Sequence, residues 1–220
     1  MNFYASSQSI PNFISPRVSS EELELEHPLK LGILASGSGT NFEAIVQAIQ
    51  KGTLNAEIPV LIYNNPEAKV KEKAQRFKIR TVLLNHREFK RRGDLDQSIL
   101  ETLQQHHVEW VVMAGWMRIV THVLLNAYPD HIINIHPSLL PSFKGIHAIE
   151  QALAAGVKIT GCTAHIASSE VDSGLILSQA AVPILPNDTP ETLQARIQAQ
   201  EHIILPQAIV LAAKQYYCLK

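Results

Sequence analysis

Leu31-Gly32-Ile33-Leu34-Ala35-Ser36-Gly37-Ser38-Gly39-Thr40-Asn41 is an apolar run that gives way to glycines and hydroxyl residues, with a helical pattern after it. An apolar strand, a tight turn and a helix in that order form the opening unit of a parallel α/β sheet. The alternation repeats downstream. Residues 31–35, 58–63, 80–84, 110–114, 132–136, 159–166 and 175–183 are expected as strands, and 41–50 and 67–77 as helices. A last helix is expected to begin at Asp188-Thr189-Pro190-Glu191, with Thr189 capping and Pro190 in the first turn. The expected fold is α/β, a single-domain open, mostly parallel sheet with helices on both faces. No internal repeat is present.

The turn itself carries chemistry. In Ser36-Gly37-Ser38-Gly39-Thr40-Asn41 the small residues let backbone N–H groups approach an anion at a helix N-terminus. A tight turn with a hydroxyl cap accounts for the same residues. Position 42 is Phe, so the dinucleotide fingerprint G-x-G-x-x-G is missing, and no Gly-Lys-Ser/Thr follows for a nucleoside triphosphate. A phosphate monoester is the better match.

Further along, Asn134-Ile135-His136-Pro137-Ser138-Leu139-Leu140-Pro141 follows a short apolar strand, and Asp172 sits in a Ser169-Glu170-Val171-Asp172-Ser173-Gly174 turn. Alternate strand residues project to one face, so Asn134 and His136 point the same way. Pro137 lacks an N–H and ends the ladder, holding the chain at the carboxyl edge where open α/β sheets bind ligands. Asn134 offers an N–H₂ donor to an oxygen gaining negative charge, His136 donates or accepts a proton, and Asp172 orients the imidazole. Singly these residues are weak signals: an Asn or His at a strand end is more often a turn-former or core group, and an Asp before Ser-Gly a turn residue. Together they are the equipment of acyl transfer.

Glu201 shares a helix face with Leu193, Ile197 and Ile204 by i, i+4 and i+3 spacing. A carboxylate in an apolar stripe needs a partner, unless it lies at the rim and reaches water or a salt bridge. On the strand at 159–166, Cys162 falls on the face of Thr160, Ala164 and Ile166, which makes it a packing residue rather than a nucleophile. Thr163 and His165 share the opposite, polar face, where His165 either supports the site or makes a structural hydrogen bond.

Composition limits the remaining choices. The 220 residues are 46% hydrophobic, enough for one sizeable core, and the net charge of −1 advertises no surface for nucleic acid. Lys90-Arg91-Arg92 is read as a solvated helix face or loop. Cys162 and Cys218 are too far apart in sequence to suggest a disulfide framework, which fits a reducing, cytoplasmic compartment. No apolar run approaches the roughly 20 residues that span a bilayer. Residues 1–29 mix Ser, Asn, Pro and an acidic stretch, Glu21-Glu22-Leu23-Glu24-Leu25-Glu26, and are expected to be disordered or loosely packed. They contain neither the hydrophobic core of a secretory signal nor the charge balance of a transit peptide. The domain is expected over 30–220. His106, His107, His131 and His147 fit no metal-ligand spacing, so no metal is expected.

Gly37-Ser38-Gly39-Thr40-Asn41, Ala114-Gly115-Trp116-Met117-Arg118-Ile119, the Asn134 to Pro141 run, Gly161-Cys162-Thr163-Ala164-His165, Val171-Asp172-Ser173-Gly174 and Gln200-Glu201-His202 occur in one order over about residues 30 to 215. In these stretches the chain resembles the phosphoribosylglycinamide formyltransferase family, folate-dependent enzymes of de novo purine synthesis. The resemblance implies a Rossmann-like fold and catalytic roles for Asn134, His136 and Asp172. It implies that Gly39, Thr40 and Asn41 hold the phosphate of glycinamide ribonucleotide, with Arg87, Pro137 and Glu201 against the same substrate. The co-substrate implied is 10-formyltetrahydrofolate, received by Trp116, Met117, Arg118, Ile119 and Val120 together with Asn134, Val171 and Asp172. Taken alone, the 114–120 segment reads equally as an ordinary strand-to-loop core segment. Trp116 stands where the family more commonly has Phe or Tyr. Thr163 and His165 are supporting residues.

The expected mechanism is direct transfer. The substrate amine attacks the formyl carbon on N10, Asn134 and protonated His136 stabilise the oxyanion, and Asp172 helps carry the proton toward the departing N10. Small-molecule partners, neither nucleic acid nor membrane, and a monomer or homodimer are expected. Three alternatives share parts of the pattern. Methionyl-tRNA formyltransferase normally adds a C-terminal RNA-binding domain, and formyltetrahydrofolate hydrolase an N-terminal regulatory domain for which 29 residues are too few. A non-catalytic phosphate-binding module is opposed by the intact Asn134, His136 and Asp172 set.

Overall fold

In the computed structural model, which describes residues 13–19 and 21–218, the strands are β1 (Phe13–Ser15), β2 (Leu29–Ala35), β3 (Ala56–Tyr63), β4 (Thr81–Leu83), β5 (Trp110–Met113), β6 (Ile132–His136), β7 (Ile159–Ile166) and β8 (Ile176–Pro183). The helices are α1 (Thr40–Gln50), α2 (Val70–Arg76), α3 (Arg92–Gln105), α4 (His122–Ala127), α5 (Ala148–Ala154) and α6 (Pro190–Cys218). All eight strands join one sheet in the order β1-β8-β7-β6-β5-β2-β3-β4. From β4 to β6 the pairings are parallel, and β7, β8 and β1 add antiparallel pairings at the other side. The open, mostly parallel sheet read from the strand–helix alternation is therefore the fold.

Helices cover both faces. Leu31, Ile33, Trp110, Val112, Ile133, Ile135, Cys162 and Ala164 pack against α1, α2, α5 and α6, and Leu34, Val60, Ile62, Val111, Met113 and Ile132 against α3 and α4. The strand period of two assigns each residue to its face. Cys162 lies fully buried in the first core, as a packing residue should. Burial pushes its thiol far up, with the Glu201 charge adding to the effect, so it stays protonated.

Chain direction reverses around β2. After β2 the chain runs outward through β3 and β4, then returns to β5 on the other side of β2. The β2 and β5 carboxyl ends thus diverge into loops on opposite courses, the topological switch point at which open α/β sheets form their crevice.

Several elements depart from the sequence expectation. Helix α2 starts at Val70 rather than 67, because Asn65 Oδ1 accepts from the Glu67 amide and its carbonyl from the Ala68 amide, closing a turn first. Helix α3, read only as a possible charged face near Lys90, buries Leu95, Ile99 and Leu103 at i, i+4 and i+8. Thr189 does meet the start of α6, its Oγ1 accepting from the Thr192 amide at 3.3 Å.

The expected loose tail has fixed structure from Phe13 onward. β1 pairs with β8 in the register Ile14 with Ala180, and Ile14, Leu23 and Leu25 pack on the first core. Ser19 and Glu22 form a reciprocal cap on a 3₁₀ turn over Glu21–Leu23, each side chain accepting from the other's amide. Paired backbone and partly buried apolar side chains outweigh the polar composition. Residues 1–12 of that tail and the side chain of Cys218 lie outside the described residues. Among the described residues no helix is long and apolar enough to cross a membrane.

Candidate active site

A cavity of about 490 Å³ opens at the switch point, lined by Ser36 to Asn41 after β2, Met113 to Val120 after β5, Asn134 to Pro137 from β6, and His165 to Asp172 beyond β7. Segments far apart in sequence meet there because their strands are neighbours in the sheet.

Its polar floor comes from strand geometry. β6 pairs with β7 in the register Asn134 with His165 and His136 with Thr163, so all four side chains share one face. Helices α3 and α4 cover that face only as far as Ile132. Beyond them the apolar cover ends and the loops bearing Gly145 and Asp172 close over the polar residues.

Asp172 is the hub. Its Oδ2 accepts from the Gly145 amide at 2.8 Å and lies 3.3 Å from His136 Nδ1, while Oδ1 lies 3.5 Å from Asn134 Nδ2 and 3.6 Å from His165 Nε2. Burial opposes its ionisation, but the His165 hydrogen bond, the Gly145 amide and the neighbouring imidazole charges prevail and hold the carboxyl below the usual range. It is therefore an acceptor-only carboxylate at neutral pH. Asp172 takes the left-handed conformation, φ 50°, which an Asp tolerates better than most residues.

The two imidazoles are oriented by carbonyls. His136 Nε2 donates to the Phe143 carbonyl at 2.8 Å, which leaves Nδ1 facing Asp172. His165 Nδ1 donates to the Ile166 carbonyl at 2.9 Å, which turns Nε2 toward Asn134 Nδ2 at 3.1 Å and Asp172 Oδ1. The Asn134 amide is thus turned with its donor nitrogen toward the acidic side. Thr163 stays outside the cavity: its Oγ1 donates to the Ser138 carbonyl at 2.7 Å and accepts from the Leu140 amide at 3.0 Å, fixing the run that follows His136 and Pro137.

On the turn after β2, Gly39 is left-handed at φ 71°, and a Cβ there would lie 2.5 Å from Val70 Cγ2. The turn thereby aims the first amides of α1 into the cavity. Asn41 reaches across to α6, where its Nδ2 donates to Glu201 Oε2 at 2.9 Å, and both side chains are buried. This is the partner that the apolar stripe required. Burial pushes the Glu201 carboxyl up against the opposing Asn41 hydrogen bond. Asn41 Oδ1 has no partner.

The 114–120 segment is held by Ser36, whose amide donates to the Gly115 carbonyl at 3.0 Å and whose Oγ accepts from the Met117 amide at 2.9 Å. The Met117 N–H is consumed internally. Trp116, Met117, Arg118, Ile119 and Val120 all line the cavity, with Met117 and Ile119 exposed at its mouth beside Val171 and Ile146.

Of the residues singled out from sequence, Gly39, Thr40, Asn41, Pro137, Val171 and Glu201 line the same cavity. Arg87 is not among the lining residues: it is exposed on a 3₁₀ turn over His86–Glu88. Sequence reading passed over Gly145, Ser168, Gln194 and Gln198. Gln194 and Gln198 carried a usable signal, since i, i+4 and i+7 spacing places them on the helix face of Glu201. Among the described residues no group of three or more His, Cys, Asp or Glu is placed to hold a metal ion.

Comparison with known proteins places the chain in a family. The formyl transferase family profile matches residues 29–209. The chain belongs to the formyl transferase family. One family member, phosphoribosylglycinamide formyltransferase of Bacillus subtilis, is 42% identical over 180 residues, covering 82% of this chain and 92% of that protein. The trifunctional purine biosynthetic protein adenosine-3 of Gallus gallus is 40% identical over 84% of this chain, which spans only 18% of that larger protein. Among solved family structures, glycinamide ribonucleotide transformylase 1 from Symbiobacterium toebii matches with a TM-score of 0.84 at 42% identity, over 87% of this chain and 90% of that one.

Proposed function

We propose that the chain transfers the formyl group of 10-formyltetrahydrofolate to the amine of glycinamide ribonucleotide. One observation carries the reading. The glycine turn with Asn41 and Glu201, the Trp116 to Val120 wall and the Asn134, His136 and Asp172 cluster line one cavity, in a chain 42% identical to a phosphoribosylglycinamide formyltransferase. The α1 amides and the Ser36 to Asn41 turn suit the phosphate, and Glu201 the ribose or glycinamide portion. The apolar mouth formed by Met117, Ile119 and Val171 suits the pterin, recognised by the Arg118 and Val120 backbone. Arg87, on its exposed turn, is carried over to the same substrate by the family resemblance alone.

Transfer needs three tasks from the protein. As the amine attacks the formyl carbon, its oxygen gains negative charge, which the Asn134 amide and the His136 imidazolium stabilise. Asp172 orients His136 and helps pass the proton released by the amine toward N10, directly or through water. His165 and Asp172 hold the Asn134 side chain in place through its amide nitrogen, and Thr163 fixes the backbone behind His136. No covalent enzyme intermediate and no metal are needed. The family match supports taking 30–220 as the formyltransferase domain and 1–29 as an extension. Cysteine usage supports a cytoplasmic location.

Incubating the purified chain with 10-formyltetrahydrofolate, with and without glycinamide ribonucleotide, tests this. Formylated ribonucleotide should appear only when both are present. Deformylation independent of the acceptor would instead identify a hydrolase.

A further inference from the structure

We infer that Asp96, a buried carboxylate on α3, is a positioning residue that holds the cavity's 115–121 wall in its ligand-receiving shape. The inference rests on the assignment of that wall to 10-formyltetrahydrofolate.

Asp96 lies outside the cavity, 2% exposed, on the helix that packs Leu95, Ile99 and Leu103 against the sheet. An acid inside such an apolar cluster is costly unless its oxygens are used. Here Oδ2 accepts from the Thr121 amide at 2.5 Å. Thr121 caps α4, its own Oγ1 accepting from the Val123 amide at 3.3 Å. Asp96 therefore pins the point where the wall leaves the cavity and becomes helix.

The other end of the wall is pinned by Ser36, through the Gly115 carbonyl and the Met117 amide. Between these two anchors run Arg118, Ile119 and Val120, all lining the cavity. The Arg118 guanidinium, within the same wall, also acts on the Asp96 charge. A segment anchored at both ends presents its free backbone groups in one arrangement, whereas one released at Thr121 must be ordered by the ligand at a cost in affinity. Anchoring by α3 thus places the pterin contacts without touching the ligand.

Asp96→Ala in the full chain leaves the part-buried Thr121 amide without its carboxylate partner. It should raise KM for 10-formyltetrahydrofolate and Kd for tetrahydrofolate by about tenfold, the scale of one donor left unsatisfied, while Kd for glycinamide ribonucleotide stays within about twofold. Asp96→Asn keeps an oxygen acceptor and should restore most of the folate affinity. If the alanine variant melts too low to assay, Asp96→Glu carries the test, because its extra methylene displaces Thr121 and should weaken folate selectively. Unchanged folate affinity in a folded Ala or Glu variant, equal weakening of both ligands, or an Asn variant as impaired as Ala would overturn the positioning role. A wild-type chain that binds no tetrahydrofolate would remove the folate assignment itself, a separate failure visible in the same titration.

Discussion

At Asn134, His136 and Asp172 the side chains act through shared hydrogen bonds, so their substitutions should not multiply. Removing the amide in Asn134→Ala is expected to lower kcat by about 10²–10³ with ligand affinities little changed, the loss of one oxyanion donor. His136→Ala should do at least as much damage. Asp172→Asn replaces an acceptor-only carboxylate with a group that also donates, misorienting both imidazoles. Steady-state kinetics on His136→Ala/Asp172→Asn should show far less loss than the product of the singles. Strictly multiplicative losses would mean the groups work separately.

Glu201 exposes a cost of the binding site. Burial holds its folded-state carboxyl above the ordinary value of about 4.3, so as pH rises the unfolded chain releases this proton first. Its contribution to stability is therefore present at low pH and declines from about pH 4 upward, until the folded carboxyl itself ionises. Glu201→Gln keeps the acceptor for Asn41 and removes the titration. It should raise the ligand-free Tm at pH 8 by roughly 2–4 °C, about 1 kcal/mol in a chain of this size, while weakening glycinamide ribonucleotide. Calorimetry at pH 5 and pH 8 checks the sign: the gain must be larger at the higher pH.

At the scale of elements, the turn between β2 and α1 joins recognition to packing. Gly39 must be left-handed for α1 to start, and it must lack a Cβ for α2 to approach through Val70. Gly39→Val should then weaken glycinamide ribonucleotide and destabilise the fold by about 2–4 kcal/mol, combining backbone strain with overpacking. Adding Val70→Ala should recover part of the Tm, since it removes the 2.5 Å Cγ2 contact but leaves the Val70 Cβ at 2.8 Å and the φ. Thermal melts of the single and double variants decide it.

Elements with strong periodicity were the legible ones. Strands such as 132–136 and 159–166 read directly from apolar runs, and α6 from its cap and stripe. Helix α3 was hidden because its buried Leu95, Ile99 and Leu103 sit among many polar residues. Short α4 and α5 expose too few turns for a periodic signal, and they form because the sheet covers them.

For the whole molecule, the N-terminal segment caps a sheet edge. β1 occupies the outer side of β8, which would otherwise present unpaired backbone. Deleting residues 2–28 should lower Tm by several degrees and promote concentration-dependent self-association, because an open edge pairs with other chains. Turnover of the folded fraction should remain within about twofold, since among the described residues none before Ser36 lines the cavity. Light scattering and kinetics on the truncated chain check both halves. Lost turnover with an intact fold would place the segment in the site.

The class of fold, the positions of β2 to β8 and the candidate roles of Asn134, His136, Asp172 and Glu201 were readable from the chain alone, because they depend on local periodicity and on residue type at a strand or helix position. Partners did not follow. That Asp172 meets His136, Asn134 and the Gly145 amide at once, that Asn41 answers Glu201 across 160 residues, and that Arg87 stays outside depends on sheet order and loop course. Those are long-range arrangements, chosen by packing of the whole sheet and invisible to any local pattern. The ordering of Phe13 to Leu25 belongs with them, because a polar segment becomes structured only when an edge strand and an apolar surface are already there to receive it.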